Sequence, residues 1–190
     1  MAVTLPKIII TFKQLATSFI QRSERGVVVL IVRDDTEGAG GAFFQYGDAT
    51  QVSATEFTAA NQQYIKDALS FGPLRVSVVK IGTEQALADA VAIFTQYEKT
   101  GWITFAEGKS DDWTELASWI KAREAEGKSW KALCFNTAPP DSMHVVNLAN
   151  EKVTFADDRG EVTGPAGVLQ CGAGRHQQAV SQPQPGQCAG

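Results

Sequence analysis

The chain has 190 residues, a formal net charge of −4 and 44% hydrophobic residues. That length accommodates one well-packed domain with appendages, but not two large domains. Acidic and basic residues are interspersed, and no apolar run approaches the roughly 20 residues that span a bilayer, so neither nucleic acid nor a membrane is expected as a partner.

The N-terminus and the cysteines indicate a chain made in a cytoplasm, with reduced thiols. The first ten residues, MAVTLPKIII, lack the basic region and the uninterrupted apolar region of a secretory signal. Cys134 lies in an apolar run, whereas Cys171 and Cys188 lie in a segment rich in glycine, glutamine and proline. This spacing matches neither a metal-binding pair nor a disulfide framework, which predicts unpaired thiols.

Two apolar segments open the chain. Residues 8–12 have the β-branched composition of a strand, and Pro6 just before them suits an edge or the first position of a strand. After a polar spacer, residues 27–32 are apolar without interruption, which predicts a strand covered on both faces in a parallel or mixed sheet. The first strand is therefore expected outside the α/β unit or at its margin.

Strands and helices are expected to alternate about three times between residues 27 and 135. Helices are predicted where apolar residues recur every three or four positions: after the capping residues Thr58 and Thr83, and from Ser110 or Asp111 onward. Each crossover is long enough to contain a helix. The pattern therefore predicts an α/β fold, a three-layer domain with a mixed, mainly parallel sheet flanked by helices. The strands after the first buried one are expected at residues 43–46, 74–81, 102–105 and 130–135.

The end of the chain has a different composition. Residues 145–148 and 153–155 predict a short hairpin at the edge of the sheet. Residues 165–190 contain six glutamines, five glycines and three prolines but no acidic or aromatic residue, so they cannot bury enough apolar area to offset the entropy of ordering. The expected organisation is an N-terminal arm or strand with its spacer (1–24), the α/β domain (25–160) and a disordered low-complexity tail (161–190).

Asp34 and Asp35 are the candidates for a ligand site. They follow the first buried strand, at the end where open α/β sheets place ligands, and paired carboxylates there could hold Mg²⁺ as in response-regulator receivers. A receiver also needs an acceptor aspartate at the end of a later strand, where this chain has Gly82 and Ala106. The alternative interpretations are a solvated turn and a small α/β enzyme or ligand-binding module that uses this loop with Mg²⁺ or a phosphorylated ligand.

The other reactive residues form no recognisable catalytic motif. The glycine-rich loop at residues 37–42 lacks the spacing and the lysine of phosphate-binding loops. His144, His176 and Cys134 do not assemble into a nucleophile–base arrangement, and the apolar flanks of Cys134 predict a core thiol. The leading interpretation has no catalytic residue, no cofactor and no bound metal. The four tryptophans, Trp102, Trp113, Trp119 and Trp130, are expected to pack in the core.

The order of the segments resembles the tail sheath proteins of contractile phages and phage-tail-like particles, particularly the branch found in defective prophages of Gram-positive bacteria. The resemblance covers most of residues 3–160, and its specificity lies in order and spacing, since none of the matching stretches is a catalytic signature. These stretches are LPKIIITFKQLATSFIQRSERGVVVLIVRDDT, NQQYIKDAL, RVSVVKI, KTGWITFAEG, ELASWIKARE and KALCFNTAPPD.

The resemblance implies a structural protein without enzyme activity, whose copies stack as rings around a tail tube and slide into a shorter, wider array on triggering. The implied partners are other copies of the sheath subunit, a tail tube protein and baseplate proteins, and the implied location is the virion tail after synthesis in the bacterial host cytoplasm. In such sheaths terminal arms add strands to the sheets of neighbouring subunits. The segment that could be such an arm, or a strand of an assembly domain built by both chain ends, is Ile8, Ile9, Ile10, Thr11 and Phe12.

The resemblance ends at about Gly164. Sheath proteins continue there into a helix and a large C-terminal part that carries most contacts between subunits. Codons exist for Ala166 to His176 that, read one base later, spell LEYCSAVLAGI, which is close to the family helix. We therefore expect that a frameshift truncates this chain and removes its C-terminal assembly part. The gene sequence past codon 164 tests this expectation.

Overall fold

A six-stranded mixed sheet forms the centre of the structure. The computed structural model describes residues 26–36, 41–138 and 141–149, and the backbone of two short strands at 152–154 and 161–163. The strand order is β2-β3-β1-β4-β5-β6, in which β2 is antiparallel to β3 and the other pairs are parallel. The predicted α/β fold with a mixed, mainly parallel sheet is confirmed. The strands are β1 (Val27–Arg33), β2 (Ala42–Tyr46), β3 (Arg75–Ile81), β4 (Gly101–Phe105), β5 (Trp130–Phe135) and β6 (Val145–Leu148).

Three α-helices connect the strands: α1 (Ala59–Ser70), α2 (Leu87–Tyr97) and α3 (Ser110–Ala125). Thr58 caps α1 as predicted, since its hydroxyl accepts the main-chain N–H of Asn61 at 3.5 Å. A short 3₁₀ turn, Ala49–Gln51, precedes α1. Within the described ranges, none of the helices has the length and apolar character needed to cross a bilayer.

The start of α2 differs from the prediction. The helix begins at Leu87 rather than directly after Thr83, and the Asp89 carboxylate accepts the main-chain N–H of Ala86 at 3.1 Å. An acid three residues into the helix thus satisfies a donor that the helix itself leaves free, and its charge suits the positive end of the helix dipole. The predicted cap, Thr83, binds Asp35 instead.

Two apolar cores lie on opposite faces of the sheet. Because successive side chains of a strand point to opposite faces, Val29 and Ile31 enter the core beneath α2 and α3, whereas Leu30 and Val32 enter the core beneath α1. All four are 0% exposed. This alternation explains why β1 is apolar without interruption, as the sequence predicts for a strand covered on both faces.

The predicted packing of the tryptophans is confirmed for two of them. Trp113 and Trp130 are 2% and 3% exposed and belong to the core beneath α2 and α3. The Trp113 ring meets the Phe105 ring edge-on, with 5.5 Å between ring centres, and Trp130 meets Phe94 in the same way at 5.4 Å. Trp119 packs against this core with part of its surface exposed. These large buried rings hold α2 and α3 on the sheet.

The strands after β5 show that the predicted hairpin of residues 145–148 with 153–155 is wrong. β6 joins the main sheet parallel to β5. The Asn147 side chain holds it there, donating to the main-chain oxygen of Thr137 at 2.7 Å and accepting the Thr137 N–H at 3.2 Å. β7 (Lys152–Thr154) pairs instead with β8 (Glu161–Thr163) in a separate two-stranded sheet.

The predicted arm and tail can be compared with the structure only in part. The arm and spacer (1–24), including Ile8–Phe12, lie outside the described residues. Strand β8 falls within the first residues of the range predicted for the tail (161–190), so regular structure extends to Thr163. The rest of that range lies outside the described residues. The division of the chain into arm, domain and tail therefore stays a prediction.

Candidate functional site

The Asp34 carboxylate lies just after β1 and is buried, with 3% of its surface exposed. Its Oδ1 accepts the Thr36 N–H at 2.9 Å, and its Oδ2 accepts the Thr58 N–H at 2.7 Å and the Asn61 side-chain amide at 2.8 Å. The same Asn61 amide donates to the Arg33 main-chain oxygen at 3.0 Å. Asp34 and Asn61 together fasten the start of α1 to the end of β1.

Asp35, the second predicted candidate, binds the loop that follows β3. Its carboxylate accepts the Thr83 hydroxyl at 2.6 Å and the Thr83 N–H at 3.1 Å. The two neighbouring acids thus bind donors from two different parts of the chain, the α1 start and the β3–α2 loop. Each of them positions a loop of the domain.

Hydrogen bonds favour the ionised form of both acids. Burial alone would raise the pKa of Asp34, but hydrogen bonds from Asn61, Thr36 and Thr58 outweigh it and hold this pKa well below its ordinary value of 3.8. The hydroxyl and N–H of Thr83 lower the pKa of Asp35. A carboxylate offers about four lone-pair positions. Three of those of Asp34 are already used, which leaves little room for a cation.

The described residues do not support the alternative interpretation as a magnesium site. Among the parts of the chain that the structure describes, no group of three or more His, Cys, Asp or Glu side chains could hold a metal ion. Mg²⁺ also requires near-octahedral oxygen ligands that are free to bind it. Asp34 and Asp35 instead satisfy main-chain and side-chain donors of the domain.

A buried ion pair, which the sequence analysis did not identify, lies at the same edge of the sheet. The Arg33 guanidinium donates to both carboxylate oxygens of Asp112, at 2.7 and 2.8 Å, and the two side chains are 11% and 10% exposed. Asp112 also accepts the Lys109 N–H at 2.7 Å. Burial would raise the pKa of Asp112, but the hydrogen bonds from Arg33 and Lys109 lower it overall. This pair joins the end of β1 to the first turn of α3.

Lys80, near the end of β3, is a buried cation with 4% of its surface exposed. Its ammonium donates to the main-chain oxygen of Glu56 at 2.9 Å and to that of Thr36. It also lies 5.8 Å from the centre of the Phe57 ring. Lys80 thus ties the segment before α1 to the loop after Asp34, and its donors are directed at protein groups rather than at an external phosphate.

The remaining candidates do not gather at this edge. Cys134 is 0% exposed, and its Sγ lies 3.7 Å from the main-chain oxygen of Trp113. Burial raises the pKa of this thiol to about 12, so the predicted core thiol is confirmed. His144 precedes β6, and its main-chain oxygen accepts the Ala132 N–H at 2.9 Å. Residues 37–40 of the glycine-rich loop, His176, Cys171 and Cys188 lie outside the described residues.

Glu98 binds several side chains at the opposite end of the sheet, and the sequence analysis did not identify it either. It is 4% exposed and accepts hydrogen bonds from the Arg75 guanidinium at 2.6 and 3.0 Å, the Ser77 hydroxyl at 2.7 Å and the Gln45 amide at 3.0 Å. Burial would raise the pKa of Glu98, but the hydrogen bonds led by Arg75 lower it. The sequence does indicate that a polar partner lies here, because Arg75 and Ser77 are two residues apart and so share one face of an otherwise apolar strand.

Known proteins are similar to this chain in sequence and in fold. The chain is 29% identical over 164 residues to the tail sheath protein of Clostridium phage phiCD119, an alignment that covers 81% of this chain and 44% of that protein. The solved helical sheath of the anti-feeding prophage in its contracted state matches 95% of this chain and 54% of its own chain, with a TM-score of 0.57 and 13% identity. Comparison with protein-family models gives no match.

The two similarities carry different weight. At 13% identity the anti-feeding prophage sheath shows a shared fold. The 29% identity with the phage protein connects the sequence to a protein named as a tail sheath, although this chain spans less than half of that relative's length. The resemblance to contractile tail sheath proteins that the sequence predicts is therefore confirmed.

Proposed function

We propose that this chain is a structural subunit of a contractile tail sheath, in a phage or a phage-tail-like particle. In this role its copies assemble as rings around a tail tube and rearrange during contraction. The observation that carries the proposal is the 29% identity to a tail sheath protein over 164 residues. That similarity extends over 81% of the chain rather than over one short motif.

The proposed role is structural and not enzymatic. The contacts of Asp34 and Asp35 support it, because both acids are engaged in holding loops of the domain. The proposed partners are other copies of this subunit, the tail tube protein and baseplate proteins. The proposed location is the tail of the particle, after synthesis in the host cytoplasm.

We propose that Ile8, Ile9, Ile10, Thr11 and Phe12 form the strand that links neighbouring copies. Their β-branched composition supports pairing with a sheet edge. β2 and β6 are the outermost strands of the main sheet, so each has one side without a partner strand among the described residues. Main-chain groups on such an edge accept an added strand.

A proline within the proposed linking strand tests the assembly. Ile9→Pro removes a main-chain donor, whereas the matched control Ile9→Val keeps both the donor and the β-branched shape. We expect sedimentation velocity to show concentration-dependent association of the wild type and of Ile9→Val, and smaller species for Ile9→Pro with an unchanged melting temperature. Identical distributions for all three chains would contradict the linking role of residues 8–12.

The structural role itself has a separate test. A ligand that binds only the native state increases the free energy of unfolding, by about 2.7 kcal/mol when the ligand is present at a hundred times its Kd. The melting temperature then rises. We expect Mg²⁺ and nucleotides to leave the melting temperature unchanged. A clear increase, in a chain that stays monomeric at every concentration tested, would favour the ligand-binding module over the sheath subunit.

A further inference from the structure

The described helices cover the two faces of the main sheet unequally. α2 and α3 both pack on one face, whereas α1 packs on the other face against β1 and β3. On the α1 side, the strand register continues from β1 onto a surface formed by β4, β5 and β6. This surface, here named the β4–β6 face, includes Trp102, Thr104, Lys131, Leu133, Val146 and Leu148.

The β4–β6 face is apolar except for Thr104 and the exposed Lys131, and its centre is buried. Leu133 and Thr104 are 7% and 4% exposed, yet Leu133 belongs to neither of the two core clusters. The Thr104 hydroxyl is satisfied internally, since it donates to the main-chain oxygen of Leu133 at 3.2 Å. Trp102 and Val146 are half-buried. A surface of this kind needs an apolar covering layer rather than water.

The segment just before β1 has an apolar stripe of matching character. Phe12, Leu15 and Phe19 recur at intervals of three or four residues and Ile20 follows directly, which places all four on one face of a helix. The residues between them, including Ser18, are mostly polar. A helix of this pattern buries one side and exposes the other.

The same segment carries the start signals of a helix. Thr11 and Gln14 have the spacing of a capping box, in which the side chain of each residue satisfies the main-chain N–H of the other. Ile10 and Leu15 occupy the positions on either side of such a cap that pack together as a hydrophobic staple. Residues 12–22 therefore have both the stripe and the N-terminal boundary of an amphipathic helix.

The chain length allows this helix to reach the β4–β6 face of its own molecule. An 11-residue helix is roughly 16 Å long, which matches a strand of about five residues. Gly26, at the start of β1, is held by the Leu74 N–H, which donates to its oxygen at 3.1 Å. The four residue steps from Arg22 to Gly26 span at most roughly 14 Å, which is enough to cross the distance of about 10 Å between packed layers. So short a connection favours the β4–β6 face of the same molecule over the same face of a neighbouring copy.

The direction of the chain agrees with the charges. A helix that enters β1 through a short turn runs antiparallel to it, so its C-terminal end lies near the first residues of β4 and β5. Lys131 is there, with its ammonium 5.3 Å from the centre of the Trp102 ring. A cation near the negative end of a helix dipole is favourable.

We propose that residues 12–22 form a helix that packs on the β4–β6 face of the same chain, with Leu15, Phe19 and Ile20 against the sheet. This helix completes the layer that α1 begins. The inference does not depend on the proposed function. In this arrangement the linking strand ends at Ile10, because Thr11 caps the helix and Phe12 belongs to it, and residues 8–10 leave the domain near the carboxyl ends of the strands.

The test uses the full chain labelled with 5-fluorotryptophan and observed by ¹⁹F NMR. Trp102 lies on the β4–β6 face, whereas the other three tryptophans belong to the opposite core, and Trp102→Phe assigns its resonance. We expect Phe19→Asn to shift the Trp102 resonance and to leave the other three in place. The matched control Ser18→Asn, on the polar side, leaves all four unchanged.

Each other outcome decides the question as well. An unshifted Trp102 resonance in Phe19→Asn overturns the proposal. A shift of that resonance on removing residues 165–190, or on dilution, overturns it too, because the tail or a second copy would then cover the face. If Phe19→Asn unfolds the chain, Phe19→Leu replaces it, and a shift confined to Trp102 is required. Deleting residues 1–9 should leave the resonance in place, which separates this helix from the linking strand.

Discussion

Replacing Asp34 by asparagine tests whether this acid holds the start of α1. Asparagine keeps the size of the side chain but has one acceptor oxygen, whereas Asp34 accepts the Thr36 N–H on one oxygen and the Thr58 N–H and the Asn61 amide on the other. Whichever way the new amide is oriented, its NH₂ group faces at least one donor. At least one buried donor is therefore left without an acceptor.

The expected loss of stability follows from these contacts. A hydrogen bond to a charged group contributes about 1.5–3 kcal/mol, and a buried donor without a partner costs about 1–3 kcal/mol. In its better orientation the amide loses the Thr36 contact and keeps weakened contacts to Thr58 and Asn61, so we expect a decrease of about 2–4 kcal/mol in the free energy of unfolding. For a domain of this size that corresponds to a melting temperature lower by roughly 5–15 °C.

The penalty should depend on pH in a defined direction. The folded-state pKa of Asp34 lies below its ordinary value of 3.8, so the carboxylate stabilises the fold fully above that value and less as the pH falls through the folded pKa. Asparagine does not titrate. The difference in unfolding free energy between the wild type and Asp34→Asn should thus be constant near neutral pH and shrink below about pH 4.

Urea and thermal denaturation followed by circular dichroism measure this difference, with Asp35→Asn as the matched control. Asp35 is exposed, and among the described residues it accepts hydrogen bonds from Thr83, so its replacement should lower the melting temperature less. The reasoning would be refuted if both variants were equally destabilised and Mg²⁺ stabilised only the wild type. That result would show that the two carboxylates bind a cation together.

Three further substitutions or measurements test other parts of the domain. Glu98→Ala should lower the free energy of unfolding by about 2–4 kcal/mol in urea titrations, because it removes a buried carboxylate that accepts hydrogen bonds from Arg75, Ser77 and Gln45, whereas Glu126→Ala, at an exposed pair, should have little effect. Gly101→Ala should lower the melting temperature, since its Cβ would lie 2.9 Å from a main-chain oxygen of β1 at a φ of +155°; Gly47→Ala, whose Cβ meets nothing within 4 Å, should not. Cys134 should react with a thiol reagent only as fast as the domain unfolds, and rapid modification of this residue in the native chain, located by peptide mass spectrometry, would contradict its burial.

The central strands could be predicted because their information is local. β1 is apolar at every position from Val27 to Val32, and the structure shows why, since alternate residues enter two different cores. The start of α1 was equally local, because Thr58 is both the cap in the sequence and the cap in the structure. The spacing of apolar residues and the capping residues are sufficient to predict an element wherever both partners of a contact lie within one turn or one strand.

The errors arose where distant residues decide between local possibilities. Thr83 is a plausible helix cap in isolation, but Asp35, distant in sequence, binds its hydroxyl and its N–H. β6 was expected to turn back on the next strand, yet the Asn147 side chain binds Thr137 and holds β6 beside β5. The partner of Asp34 in α1, Asn61, has no local signature either. Such pairings depend on the tertiary arrangement, which local patterns do not contain.

Two ion pairs with buried carboxylates give the domain a property that suits the proposed function. Arg33 and Asp112 join β1 to α3 at one end of the strands, and Glu98 joins the end of α2 to Arg75 of β3 at the other end. Helices held to a sheet by apolar packing alone can slide along it by small steps, as in shear motions. Directional bonds at both ends of the strands oppose such sliding. In a sheath that contracts, the domain would then move as one body, and the contacts that change would be those of the linking strand and of the sheet edges.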